Sequence, residues 1–74
     1  MAETKIASAA DLGKAIQFRR KNLGYTQTQL ADACNCSPQF VSAVENGKET
    51  AEVGKVLNLV LTLGMDVFTR NRGE

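Results

Sequence analysis

Hydrophobic positions along this 74-residue chain fall into four runs of helical period, each opened by a residue that caps helices and closed by glycine or asparagine. Met1 to Ala7 precedes them without a helical period and reads as an arm, or a short strand around Lys5-Ile6-Ala7. Ser8 then stands as an N-cap with Asp11 in the capping position. Leu12, Ala15, Ile16 and Leu23 trace one face up to Gly24, with Arg19 and Arg20 close beside it. Lys14, Phe18 and Lys21 point away. Phe18 is the odd member: Ile6, the C-terminal strand or a protein partner has to cover it.

The second run opens on Thr26-Gln27-Thr28-Gln29, a capping box, with Tyr25 and Leu30 spaced as the hydrophobic staple around it. It extends to about Cys34, where Asn35 is a left-handed stop. Ser37 caps the third run, Pro38 takes its first position, Val41 and Val44 face inward, and Asn46-Gly47 ends it. Thr50 is expected to cap a fourth helix reaching Gly64. Its apolar residues (Val53, Val56, Leu57, Leu59, Val60, Leu61 and Leu63) cover more of the circumference than one small core requires, so a second copy should pack there too. Met65-Asp66-Val67-Phe68-Thr69 has strand character, and a lone strand needs another to pair with. The same strand of a second subunit would serve, and Arg70 to Glu74 is a polar tail.

Composition narrows this further. Apolar residues make up 43% and aromatics 5%, without Trp, which describes an aliphatic core that suits helices. A chain of this size sits near the lower limit for folding on its own core, and that again favours a dimer. The net charge of +1 is unevenly spread. Residues 1–24 hold five basic and two acidic groups, whereas 25–50 hold Lys48 against Asp32, Glu45 and Glu49. Nucleic-acid binding therefore cannot rest on a broad basic patch. Cys34 and Cys36, without any His, cannot complete a zinc site and read as small apolar residues around a turn. No metal or cofactor is expected. Reduced thiols and the absence of a signal-like or membrane-spanning apolar run point to the cytoplasm.

Two short helices joined by a tight turn form a helix-turn-helix when three conditions meet. A small residue must sit where they cross, and Ala31 supplies it. The turn needs a residue tolerant of positive φ, and Asn35 supplies that. The inward positions must be apolar, as Leu30, Cys34, Cys36, Val41 and Val44 are.

The run L-G-Y-T-Q-T-Q-L-A, then S-P-Q-F-V-S and E-N-G-K, resembles the Cro/C1 (XRE) type of phage-repressor helix-turn-helix domain, over residues 8–64. With Lys5-Ile6-x-Ser8-x-x-x-Leu12 before it and Met65–Thr69 after it, the chain resembles HipB-like antitoxins of type II toxin–antitoxin operons. The resemblance implies an all-α, compact four- to five-helix domain with a short C-terminal β-strand pairing across a homodimer. Residues 1–7 would form an arm, and 65–74 the strand and tail. Asn35 departs from the family, which usually carries Gly there, and leaves the turn slightly strained.

In this geometry the third helix enters the major groove by its N-terminal residues. Ser37, Pro38, Gln39, Phe40, Ser42 and Ala43 become the base-reading set. Gln39 can contact adenine at two points, Ser42 can bond to several bases, and Pro38, Phe40 and Ala43 offer apolar contact to thymine methyls. Gln27, Thr28, Asn46 and Lys48 are the phosphate candidates, with Lys21 and Arg19 behind them. Glu45 faces inward, where an unpaired carboxylate is costly, and Arg20 is its natural partner for a structural salt bridge. Leu57, Leu61, Met65, Val67 and Phe68 are the dimerisation set.

The function these features imply is that of a DNA-binding antitoxin. It would repress its own operon as a dimer on double-stranded operator DNA and bind a HipA-like kinase toxin. The alternatives are a free-standing XRE-family repressor without a toxin, and a protein-interaction module that has kept only the fold. An enzyme is not expected: there is no His, no Gly-rich phosphate loop and no nucleophile–base pair.

Overall fold

Each of the first three helices begins where its cap stands. The structure is a computed structural model describing residues 3–73, in which α1 spans Ala9–Asn22, α2 Gln27–Ala33, α3 Pro38–Glu45 and α4 Val53–Thr62. Of the expected arm over 1–7 and tail over 65–74, residues 1, 2 and 74 lie outside the described residues. Ser8 Oγ accepts from the Asp11 N–H at 3.1 Å, and Ser37 Oγ from the Phe40 N–H at 3.1 Å. The Thr26 box is complete. The Gln29 N–H donates to Thr26 Oγ1 at 3.0 Å, and the Thr26 N–H donates to Gln29 Oε1 at 2.9 Å. These bonds satisfy N–H groups that a helix start otherwise leaves unpaired.

All four helices also stop in the same way, with paired reverse bonds around a left-handed residue. Those residues are Gly24, Asn35, Gly47 and Gly64. Asn35 holds φ at 55°, as its place in the turn requires, and the Cys36 N–H reaches back to the Ala31 carbonyl at 3.0 Å.

Thr50 does not cap α4. It lies in a turn, Glu52 is the N-cap without a side-chain bond, and the helix starts at Val53. The inward register explains the later start: Val56, Leu59, Val60 and Leu63 are buried at helical spacing, and half-buried Ala51 anchors the turn against the core. Leu23, expected on the inner face of α1, is instead the exposed C-cap. Among the described residues there is no strand: 65–70, which were expected to include the C-terminal strand, carry no regular structure.

The core is Ile16 from α1, Leu30 and Ala31 from α2, Val41 and Val44 from α3, and Val56, Leu59, Val60 and Leu63 around α4. Cys34 and Cys36 are free thiols packed against it, half-buried, as small apolar residues would be. Ala31 is fully buried. A second close crossing, between α1 and α3, occurs at Gly13. A Cβ there would come within 2.8 Å of the Glu45 carbonyl oxygen.

Candidate nucleic-acid interface

Helix α3 is fixed from below and open above. Val41, Val44 and Glu45 are buried, while Gln39 is exposed and Pro38, Phe40, Ser42 and Ala43 are half-buried. Ser37 is exposed, but its Oγ is engaged by its own cap bond. The outward line of the helix is thus short, uncharged and polar at Gln39.

Beneath it, Arg20 grips Glu45 in a two-point ion pair. Nε lies 2.6 Å from Oε2 and Nη2 lies 3.0 Å from Oε1, with the two side chains 8% and 1% exposed. Arg20 Nη1 also donates to the Tyr25 carbonyl at 2.8 Å, so one guanidinium ties α1, the α1–α2 turn and α3 together. Burial alone pushes the Glu45 carboxyl up. The hydrogen bonds from Arg20 and Gln27, with the Arg20 charge and a smaller share from Gln17, outweigh that and hold it below the ordinary carboxylate range. The Arg20 guanidinium is raised in turn by its bond to Glu45. A buried charge is tolerable here because each buried polar atom of the pair has a hydrogen-bond partner.

The expected phosphate residues divide. Lys48 and Thr28 are exposed. Gln27 turns one amide hydrogen inward, with Nε2 donating to Glu45 Oε1 at 3.0 Å, and keeps the other. Asn46 turns back on its own helix: Nδ2 donates to the Ser42 carbonyl at 2.8 Å and lies 3.4 Å from Ser42 Oγ. Asn46 is nonetheless exposed. Arg19 is committed elsewhere, Nε donating to the Leu63 carbonyl at 2.9 Å and closing the end of α4. Lys21 is exposed in the last turn of α1.

Of the dimerisation set, Leu57 is just exposed, and Leu61, Val67 and Phe68 are 60%, 55% and 63% exposed. Met65 instead packs half-buried on its own core. Phe18 is 70% exposed, covered neither by Ile6 nor by the C-terminal segment. Among the described residues no cluster of His, Cys, Asp or Glu could hold a metal ion, and no helix is long and apolar enough to cross a membrane.

Several linking residues escaped the sequence reading. Gly13 carried a signal, a glycine interrupting an otherwise regular helix. The bonds from Arg19 to Leu63 and from Gln27 to Glu45, and the placing of Lys55 5.8 Å over the Phe40 ring, join residues far apart in sequence and left none.

Known proteins agree with this architecture. A helix-turn-helix family model matches residues 16–68. The chain is 34% identical over 70 residues to y4mF of Sinorhizobium fredii, an uncharacterized helix-turn-helix-type transcriptional regulator, covering 95% of this chain and 92% of that protein. It is 46% identical over 39 residues to the competence pilus inhibition repressor of Acinetobacter baylyi, over 53% of this chain but only 36% of the repressor. Among solved structures, it superposes on HipB in a complex with the O4 20mer at TM-score 0.86 and 21% identity, covering 95% of this chain and 99% of that one. The same score, identity and coverage hold for a chain of the HipA–HipB–O2–O3 complex, a likeness of fold. With caps, turn and recognition helix in place, this chain belongs to the helix-turn-helix family, of the Cro/C1 (XRE) type, and is a DNA-binding transcriptional regulator.

Proposed function

We propose that this regulator is the antitoxin of a type II toxin–antitoxin module. It binds its own operator as a homodimer and also binds a HipA-like kinase. The observation that carries this reading is the surface left unpaired along α4 and beyond it, Leu57, Leu61, Val67 and Phe68, in a chain whose fold matches HipB almost end to end. An apolar face of that kind on a small domain calls for a partner. Residues 65–69 gain regular structure by pairing as strands with the same segment of a second subunit. The chain then divides into an arm over 1–7, the helix-turn-helix over 8–64, and the dimer strand and tail over 65–74.

On the DNA, Gln39 reads adenine edges from the exposed line of α3. Ser37, Pro38, Phe40, Ser42 and Ala43 shape the fit, and Gln27, Thr28 and Lys48 hold phosphates, with Asn46 supporting Ser42. The test is a mobility shift on the region upstream of the gene, with Gln39→Ala beside the wild type. The wild type should retard that fragment, and Gln39→Ala should bind it more weakly with relaxed preference at one base pair. Unchanged affinity and preference would remove Gln39 from the reading set. A kinase-like reading frame in the same operon, whose product co-purifies with this chain, is the expected sign of the toxin.

A free-standing repressor is the second reading, and it is favoured by the identity to y4mF and to the competence pilus repressor. An operon with no such reading frame would decide for it.

A further inference from the structure

Helix α3 has two flanks, bordered by different elements. With Val41 pointing inward, a rotation of roughly 100° per residue carries Phe40 to one side and Ser42 to the other. Glu45 lies on the Ser42 side of the inward line, and Gln27 bonds to it there, so the start of α2 borders that flank. A helix of about 10–12 Å diameter fills a major groove about 12 Å wide. A sugar–phosphate strand therefore runs along each side of it. The Phe40 flank is bordered by the first turn of α4, where Lys55 stands over the Phe40 ring.

Lys55 Nζ stands 5.8 Å from the centroid of the Phe40 ring, within range of a cation–π contact. Phe40 is half-buried against the core, so its ring forms a fixed shelf rather than a swinging arm. The charge also reaches the residue just ahead of α3. Burial raises the Cys36 thiol and Cys34 adds to that, while Lys55 pulls the other way. The Lys55 side chain remains 58% exposed, and its ion-pair partner is Glu52 at 3.8 Å, itself 73% exposed. A pair so open to solvent holds weakly and exchanges readily for a phosphate.

We infer that Lys55 is a backbone-phosphate ligand on the Phe40 flank of the recognition helix, set in place by the Phe40 ring and held off by Glu52 until DNA arrives. This rests on α3 lying in the major groove. It gives Phe40 a positioning role in addition to any contact with a base, and it makes Glu52 a local brake on affinity.

The test uses the whole chain and a duplex enriched by the wild type from a random library, with dissociation constants measured across a salt series. Lys55→Gln should lower affinity several-fold without changing base preference. It should also make the dependence of log affinity on log salt shallower by about 0.9, one phosphate's worth. Glu52→Gln should tighten binding several-fold, and the double variant should lose that gain. Lys14→Gln, on an exposed position of α1, should leave the slope unchanged.

An unchanged slope in Lys55→Gln, an equal loss in Lys14→Gln, or a Glu52→Gln gain that survives without Lys55 would each overturn the assignment. If the wild type enriches no sequence, base reading fails as a proposal. The same salt series on an arbitrary duplex then still decides for or against Lys55.

Discussion

Gly13 of α1 lies directly against the backbone of α3. A Cβ at this position would stand 2.8 Å from the Glu45 carbonyl oxygen and nearer still to that of Val44. Both oxygens belong to a helix backbone and cannot swing aside as a side chain would. Gly13→Ala ought to gain about 1 kcal/mol in helix propensity. Overpacking costs about 1–3 kcal/mol, and here it meets rigid atoms, so the substitution should lower stability on balance. Urea melts of the two proteins measure the sign directly. A rise in midpoint would mean that α1 and α3 are further apart than described.

The Arg20–Glu45 pair makes a different prediction, one of pH. Glu45 is held below its ordinary value of 4.5, so the unfolded chain takes up that proton first as acid is added. Its stabilising share is complete above that ordinary value and fades as pH falls through the lower, folded one. Thermal melts from about pH 7 down to about pH 3 should show a steeper acid loss in the wild type than in Glu45→Gln. Parallel curves would assign the acid sensitivity to other carboxylates. Glu45→Ala, which strands the Arg20 guanidinium in the interior, should cost about 3–5 kcal/mol at neutral pH.

Asn35 keeps φ at 55° in the turn between α2 and α3. For a residue with a Cβ this conformation costs about 1–2 kcal/mol, less for Asn, and nothing for Gly. Gly also loosens the unfolded chain by about 0.4–1 kcal/mol, which offsets part of the relief. Asn35→Gly should therefore fall within about 1 kcal/mol of the wild type, whereas Asn35→Ala should be clearly less stable. Equal losses in both variants would show that the Asn side chain, and not its backbone, holds the turn.

Of these three sites, Asn35 and the Arg20–Glu45 pair were legible in the sequence, whereas Gly13 was not. Caps and turns are local, so Ser8, Thr26, Ser37 and Asn35 announced their roles within four residues of where they act. The Arg20–Glu45 pair followed from helical phase, because a charge on an inward line demands its opposite. Thr50 misled because a capping residue is only a permission. Burial of Val56 and Leu59 set the register, and α4 began at Val53. The partners of Arg19, Gln27 and Lys55 depend on how helices cross, and no periodicity reports that.

Leu61 of α4 is 60% exposed, one turn beyond Leu57 on the same face, and none of the described residues covers either of them fully. If this face and residues 65–69 join two subunits, Leu61→Glu places a charge in the middle of an apolar contact and should give a monomer by analytical ultracentrifugation. Because Leu61 contributes little to its own core, the monomer's fold should change by no more than about 0.5 kcal/mol, which a thermal melt of the monomer can check. Dimeric binding would need half-sites about one helical turn apart, roughly 34 Å, and losing the second half-site should weaken operator binding far more than binding to a single half-site. A variant that stays dimeric and keeps full operator affinity would place the subunit contact elsewhere. The exposed Phe18 on α1 would then be the next face to test.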